Sequence, residues 1–294
     1  MFCVLTPPQI RAENQNDESN TDVLRLHSMV LLEPQKKHKP GLAILIWSFI
    51  RAIFQVFVLL SYTAIGGTFL IIEANVFGFR KLEDWILQNW ARTQLRVAGV
   101  DLIVRGANHI PHEGCLFLFN HTSYADIYAT FGGIPRSFRF GAKIELFSVP
   151  IFGQTMRNVG VLPIARNNRE EVLKVYAAAI ARVKKGECFA LAPEGTRQVK
   201  PELGPYKLGP FIFGVSAQMP LVPVVIAGTQ QVQPKGAWLM NTGALRRKVI
   251  VEILPPISTK GLGQEHVKEL SERTRSEMLK PYDRLKDEVQ SPVT

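Results

Sequence analysis

Cys115-Leu116-Phe117-Leu118-Phe119-Asn120-His121-Thr122-Ser123-Tyr124-Ala125-Asp126 decides how this chain folds. The first five residues are a short apolar run with β character, and the polar residues after it end the strand. Thr122 or Ser123 is a natural N-cap for a helix beginning near Tyr124. A histidine and an aspartate five positions apart do not share a helical face, since five residues rotate a helix by roughly 500° and leave them about 140° apart. They meet only if His121 lies in the turn before the helix and Asp126 in its first turn. The stretch therefore predicts a strand that delivers a general base, with a carboxylate to orient it, to a helix N-terminus. Taken alone, the spacing fits better a histidine capping a turn and an aspartate stabilising a helix start through the macrodipole, and only the companion motifs reverse this.

Strands and helices alternate on both sides of this corner. Strands are expected at Asp101–Arg105, Cys115–Phe119, Ser137–Gly141, Val161–Ile164, Glu187–Ala192, Leu221–Ile226 and Lys248–Leu254. Helices are expected over Tyr124–Phe131, around Pro150 with a break, and over Arg169–Lys185, Leu208–Ala217 and Gln264–Asp287. This order predicts an α/β fold with a mixed, largely parallel sheet flanked by helices. Residues 82–98 are amphipathic, and Trp85 and Trp90 suit either a membrane interface or a core-facing helix.

The chain has 294 residues, 46% of them hydrophobic and 20% charged, with a formal net charge of +10. Such a balance favours phosphates, anionic lipid headgroups or nucleic acid without choosing among them. Cys3, Cys115 and Cys188 have no framework spacing, so buried thiols are expected rather than disulfides. His109 and His112 straddle a turn without a third ligand type nearby, and no metal site is read there.

Residues 1–38 are too polar for a secretory signal and read as a disordered extension. The composition then changes abruptly. From Gly41 to Ile72 the only formal charge is Arg51, and the uncharged run after it is long enough to cross a hydrocarbon core of about 30 Å. Residues 39–80 are therefore expected to be a membrane-attachment helix or hairpin, with residues 81–290 as the catalytic domain on the cytoplasmic side. Lys36, Lys37 and Lys39 precede the segment while Arg80 and Lys81 follow it. Positive charge on both flanks gives the positive-inside rule no gradient; a full span, as a transmembrane helix, is narrowly preferred, and a re-entrant or in-plane hairpin stays open. Gly66-Gly67 is a candidate bend.

Three further motifs follow the corner. Gly160-Val161-Leu162-Pro163-Ile164-Ala165-Arg166 sets an arginine just past a strand end. Ala192-Pro193-Glu194-Gly195-Thr196-Arg197 also follows a strand, and its turn projects a carboxylate and a guanidinium suited to an anionic substrate. Leu221-Val222-Pro223-Val224-Val225-Ile226 is an apolar strand interrupted by proline, which predicts an edge or a bulge with backbone free for a ligand.

Together these stretches resemble the four blocks of the glycerolipid acyltransferases, the 1-acylglycerol-3-phosphate (lysophosphatidic acid) acyltransferases and their relatives. Asn120 to Asp126 resembles the first block, with Ser123 where the family usually has serine. Gly160 to Arg166 resembles the second, Pro193 to Arg197 the third, and Val222-Pro223 the fourth. Lys207 falls where relatives often carry a basic residue. The second block here has Pro163 where an aromatic or bulkier hydrophobic is more common, and the third begins with Ala192 rather than Phe or Val.

The resemblance implies transfer of a fatty acyl group from acyl-CoA or acyl carrier protein to the free hydroxyl of a lysophospholipid, most directly 1-acylglycerol-3-phosphate. His121 would be the base and Asp126 would fix its tautomer. Arg166 and Arg197 would bind phosphate, with Glu194, Gly195 and Thr196 completing the acceptor site and Lys207 near either substrate. Asn120, Ser123 and Pro223 would support the site. No cofactor beyond the acyl donor is expected. Gly214-Val215-Ser216-Ala217-Gln218 lacks the second glycine of a nucleophile elbow, which argues against an acyl-serine intermediate. Other acceptors, such as another lysophospholipid or a lyso-ornithine lipid, fit the same chemistry. A basic membrane-tethered lipid-binding protein without catalysis would explain the charge and the anchor but not the His121–Asp126 pair. No basic run interleaved with aromatics points to nucleic acid.

Overall fold

The computed structural model describes residues 40–290; the extension expected over 1–38 lies outside them. Seven strands form one sheet: β1 (Val100–Arg105), β2 (Leu116–Phe119), β3 (Arg139–Lys143), β4 (Leu162–Ile164), β5 (Phe189–Leu191), β6 (Leu221–Ala227) and β7 (Arg247–Ile253). Their spatial order is β1-β7-β6-β2-β5-β3-β4. Every pairing is parallel except β6 with β7. Strand bounds fall within two residues or so of those read from the pattern, the terminal residues being set by pairing partners that a single strand does not display.

The helices are α1 (Leu42–Ser61), α2 (Gly67–Val76), α3 (Arg80–Val97), α4 (Ala125–Gly133), α5 (Phe152–Asn158), α6 (Arg169–Val183), α7 (Gly209–Ala217), α8 (Thr229–Val232) and α9 (Val267–Gln290). The expected break near Pro150 is present, as a 3-10 turn over Ile144–Ser148 followed by α5.

All four residues of β2 are buried, and alternation sends them to opposite faces. Phe117 and Phe119 enter an aromatic core with Phe131, Phe138 and Phe140 under α3 and α4. Leu116 and Leu118 pack against Phe189, Phe211 and Phe213 under α6 and α7. Burial on both faces is what parallel strands require. Trp90 packs on Tyr128 at 5.0 Å within this core, whereas Trp85 is 61% exposed. The two tryptophans of the amphipathic stretch thus divide between core and surface. Cys115 and Cys188 are buried free thiols beside β2 and β5.

Pro223 differs from its expectation. It lies in β6, flanked by β2 and β7, and is neither at an edge nor at a bulge. Its carbonyl accepts from the Leu254 N–H at 2.9 Å. Its nitrogen therefore faces the β7 side, where the ladder has already ended at the Val224–Ile253 pair. The missing donor costs no bond to β2, so an interior strand tolerates it.

The apolar segment is one continuous helix from Leu42 to Val76 with mean hydropathy 2.2. A π-helical turn over Tyr62–Gly66 joins α1 to α2. Gly66-Gly67 does not bend the chain, since both keep right-handed helical angles. Gly67 instead allows close packing: a Cβ there would meet Thr155 Oγ1 at 3.0 Å and Ile151 Cγ2 at 3.1 Å.

Candidate active site

Strands β2, β5, β3 and β4 run parallel, so the turns leaving their C-terminal ends gather along one edge of the sheet. That edge is where open α/β sheets place their ligands. Strand order makes β2 and β5 neighbours, which brings His121 and Glu194–Arg197 together across seventy-odd residues of chain. Arg166 leaves the end of β4, on the far side of β3.

The turn after β2 is densely bonded. His121 Nδ1 donates to Asp126 Oδ2 at 2.9 Å, and the same oxygen accepts from the Thr122 and Ser123 N–H groups at 2.7 and 2.8 Å. Asp126 is fully buried in the first turn of α4. Helix entry here is secured by this carboxylate reaching back, and by Ser123 Oγ accepting from the Ala125 N–H at 2.9 Å. Ser123 Oγ also donates to the Gln233 carbonyl at 2.7 Å. The serine is fully buried and occupied at both ends. Asn120 adds a rung to the sheet, donating to the Ile226 carbonyl at 2.9 Å and accepting from its N–H at 2.7 Å. Phe119 meets the imidazole edge-on at 5.9 Å. With Nδ1 committed to a carboxylate, Nε2 is left as the basic nitrogen.

The turn after β5 is arranged differently. Its Gly195 N–H closes on the Ala192 carbonyl at 3.0 Å, and Gly195 sits at φ +69°. A Cβ there would lie 2.9 Å from Lys207 Cδ and Cε, so glycine both forms the left-handed turn and admits the lysine across it. Glu194 is 3% exposed and stands behind the turn rather than on the cleft wall. Its Oε1 accepts from the His121 N–H at 3.4 Å, while Oε2 has no partner among the described residues. Burial pushes this carboxyl up to about 8, with the Asp126 charge adding to the rise and the His121 amide, Gln198 and Arg275 opposing it. Gln198 N–H donates to the His121 carbonyl at 2.8 Å and locks the two turns together.

Arg197 lies with its guanidinium carbon 3.6 Å from the centre of the Tyr124 ring. Its Nη1 is buried without a hydrogen-bond partner among the described residues. Lys235 Nζ donates to the Arg197 carbonyl at 2.9 Å. These turns open on a cleft of about 1020 Å³. Its charged lining consists of Lys143, Arg166, Arg169, Arg197, Lys207 and Lys235, and no carboxylate among the described residues joins them. The other wall is apolar, built from Tyr62 and Leu70 of the long helix with Trp90, Ile127, Phe131 and Met156. Thr196 also reaches the cleft.

Tyr124, Lys143, Arg169 and Lys235 are neighbours that motif reading missed. Tyr124 stood inside the first motif at a position with no chemical requirement of its own. The three cations belong to no motif, and only the excess of positive charge hinted at them. His109, by contrast, is occupied by the fold, with Nδ1 2.8 Å from the Ile253 carbonyl.

Residues 101–227 match the family model described as Acyltransferase. The chain is 31% identical over 180 residues to the 1-acyl-sn-glycerol-3-phosphate acyltransferase of Salmonella typhimurium, covering 60% of this chain and 71% of that one. It is 30% identical over 170 residues to the chloroplastic 1-acyl-sn-glycerol-3-phosphate acyltransferase BAT2 of Brassica napus, covering 57% of this chain. The chain spans about half the length of that relative, 49%. Among solved structures it is similar to the 1-acyl-sn-glycerophosphate (LPA) acyltransferase PlsC from Thermotoga maritima, with TM-score 0.69, 25% identity, and coverage of 82% of this chain and 97% of that one. The fold and the site thus define an acyltransferase domain. More narrowly, the chain belongs to the 1-acylglycerol-3-phosphate acyltransferase family of O-acyltransferases.

Proposed function

We propose that this protein transfers a fatty acyl group from a thioester, acyl-CoA or acyl carrier protein, to the free hydroxyl of 1-acylglycerol-3-phosphate, giving phosphatidic acid. One observation carries the reading. A buried carboxylate orients His121 at 2.9 Å beside a cleft whose charged lining is entirely cationic. His121 Nε2 takes the hydroxyl proton as that oxygen attacks the thioester carbonyl. The tetrahedral intermediate collapses, the thiolate leaves, and the imidazolium returns the proton to sulfur. Asp126 holds the tautomer and stabilises the transient imidazolium. The substrate hydroxyl stands where a serine hydrolase would use its own serine.

Arg197 binds the acceptor phosphate from its seat on Tyr124, with Arg166 across the cleft and Lys207 over Gly195. Glu194 acts from behind, through the His121 amide, and does not touch the acceptor. Because Gly195 N–H is used in its own turn, the Thr196 and Arg197 amides are the turn's donors for the oxyanion. No cofactor is required for this chemistry. The apolar wall, part of it supplied by the long helix, receives an acyl chain.

Residues 39–80 attach the catalytic domain, 81–290, to the membrane without crossing it. Arg51, the one cation of the helix, donates to the carbonyls of Asn241 and Ala244 at 2.8 Å each and to that of Leu245. Ser48 Oγ accepts from the Gly243 N–H at 2.8 Å, and Gln55 pairs with Gln94 at 2.7 Å. Thr155 and Asn158 donate to the carbonyls of Gly67 and Ile71 at 3.2 and 3.4 Å. Between Ser48 and Ile71 the helix is thus joined to the α/β layers over roughly 35 Å, at 1.5 Å per residue. That is longer than a hydrocarbon core of about 30 Å. The opposite face, including Phe49, Phe54, Phe57 and Leu60, is more than half exposed at each position. Such a face suits an in-plane helix sunk in one leaflet, which keeps the cleft beside lipid-borne acceptor on the cytoplasmic side.

The test is acyl transfer by the purified protein in detergent or lipid, with acyl-CoA and a panel of lysolipids and His121→Ala in parallel. Phosphatidic acid from lysophosphatidic acid, lost in the variant, is the expected result. Product on another headgroup alone would replace the acceptor, and undiminished activity in the variant would remove His121 as base.

A further inference from the structure

Trp238 is 92% exposed, the highest value among the large hydrophobic side chains of the described residues. Its loop, 233–246, is nevertheless firmly held. Gln233 Nε2 donates to the Ala237 and Trp238 carbonyls at 3.3 and 3.4 Å. Asn241 donates from its backbone to the Val232 carbonyl at 2.6 Å and from Nδ2 to the Ala98 carbonyl at 2.7 Å. A rigid loop thus carries a large ring in water, where its apolar surface gains nothing.

The loop joins two functional regions. At its start, the Gln233 carbonyl holds Ser123 and Lys235 holds the Arg197 carbonyl. At its end, residues 241–245 grip Ser48 and Arg51 of α1. Thr242 and Gly243 share a shallow surface groove with Leu45, Ile46 and Phe49. The loop surface is therefore continuous with the exposed apolar face of the helix, and Leu245 beside it is 49% exposed. Charge points the same way. No aspartate or glutamate occurs from Leu203 to Val251, while Lys235, Arg246 and Arg247 lie in or next to the loop. Arg246 is shared with Asp101 at 2.8 Å; the loop itself brings no negative charge to the surface.

We propose that loop 233–246 is a second membrane contact, with Trp238 seated at headgroup level in an anionic lipid surface. This rests on the in-plane attachment of the helix proposed above and adds a contact that the apolar segment does not contain. Tryptophan suits that depth because its ring is apolar and its N–H still finds a partner. Cations nearby add attraction to anionic headgroups. Two contacts, the helix and the loop, fix the tilt of the domain. Because the loop's other end holds the Arg197 turn, they set the mouth of the cleft at the lipid surface.

The experiment uses the full chain carrying Cys3→Ser in vesicles of phosphatidylcholine and phosphatidylserine; Cys115 and Cys188 are buried and escape labelling. An environment-sensitive fluorophore is placed in turn at Trp238→Cys, at Phe57→Cys on the exposed helix face, and at Lys260→Cys beyond the opposite edge of the sheet. Blue-shifted emission and several-fold quenching by nitroxide lipids are expected at 238 and 57 but not at 260. Quenching at 57 without 238 overturns the loop contact and leaves the helix reading intact. Quenching at neither removes both. A label at 238 that responds to acyl-CoA in lipid-free detergent, and not to lipid, makes Trp238 a donor contact and overturns the proposal. Trp238→Ala should lower turnover of vesicle-borne lysophosphatidic acid several-fold and leave turnover in detergent unchanged. Equal losses in both would assign the ring a purely structural role.

Discussion

The turns that leave β2 and β5 stand side by side and each contains a buried carboxylate, yet they treat it in opposite ways. Asp126 receives three donors on one oxygen, from His121, Thr122 and Ser123. Glu194 receives a single long one at 3.4 Å, and burial carries it up to about 8. Glu194 lacks such a set of donors, and burial favours its neutral acid. The same contrast holds for the cations. The imidazole offers Nε2 to the cleft, whereas among the described residues Arg197 keeps a buried Nη1 without a hydrogen-bond partner, as does Asp126 at Oδ1. One turn is built for fixed geometry and the other for an incoming charge.

The comparison can be broken most severely at His121. His121→Ala should lower kcat/KM by about 10³, within the range for a general base, while the chain stays folded with a modest fall in melting temperature, because Asp126 Oδ2 keeps the Thr122 and Ser123 N–H donors. Loss of activity together with unfolding would mean that the imidazole is structural.

Glu194 provides a stability test with a definite sign. Its folded-state value, about 8, lies above the ordinary 4.5, so the native chain retains a proton that the unfolded chain releases. Stability is therefore lost as pH rises through the window from about 4.5 to 8, by a few kcal/mol at most. Glu194→Gln should flatten that slope in thermal melts, gaining most over the parent near pH 8. Identical slopes would show that Glu194 is ionised throughout.

Arg197→Ala should raise KM for lysophosphatidic acid roughly tenfold to a hundredfold, as expected for a charge-assisted contact of about 1.5–3 kcal/mol. A fall in kcat at constant KM would instead move Arg197 to the oxyanion. The smallest effect belongs to Tyr124, whose ring supports the guanidinium at 3.6 Å. Tyr124→Leu should raise KM about threefold and Tyr124→Phe should restore it, since the ring face supplies roughly 0.5–1 kcal/mol. If phenylalanine failed to rescue, the phenolic hydroxyl would be the active part.

Much of this was legible along the chain. The alternation of strands and helices, the long apolar helix and the His121–Asp126 corner all depend on residues close in sequence, and the structure has them as read. Pro223 was misread because an edge and the end of an antiparallel ladder look alike in one strand. The cap of α4 was anticipated at Thr122 or Ser123, but the carboxylate of Asp126 binds both amides from within the helix.

The sequence by itself determined the elements, the local histidine–carboxylate pair and the presence of a long apolar helical segment, because periodicity, turn chemistry and a five-residue contact are local. Only the tertiary structure decided that β5 lies beside β2, that Tyr124 supports Arg197, that Glu194 is hidden, and that the apolar helix lies along the domain. Those outcomes depend on strand order and on contacts between residues as far apart as Arg51 and Leu245, which no local pattern encodes.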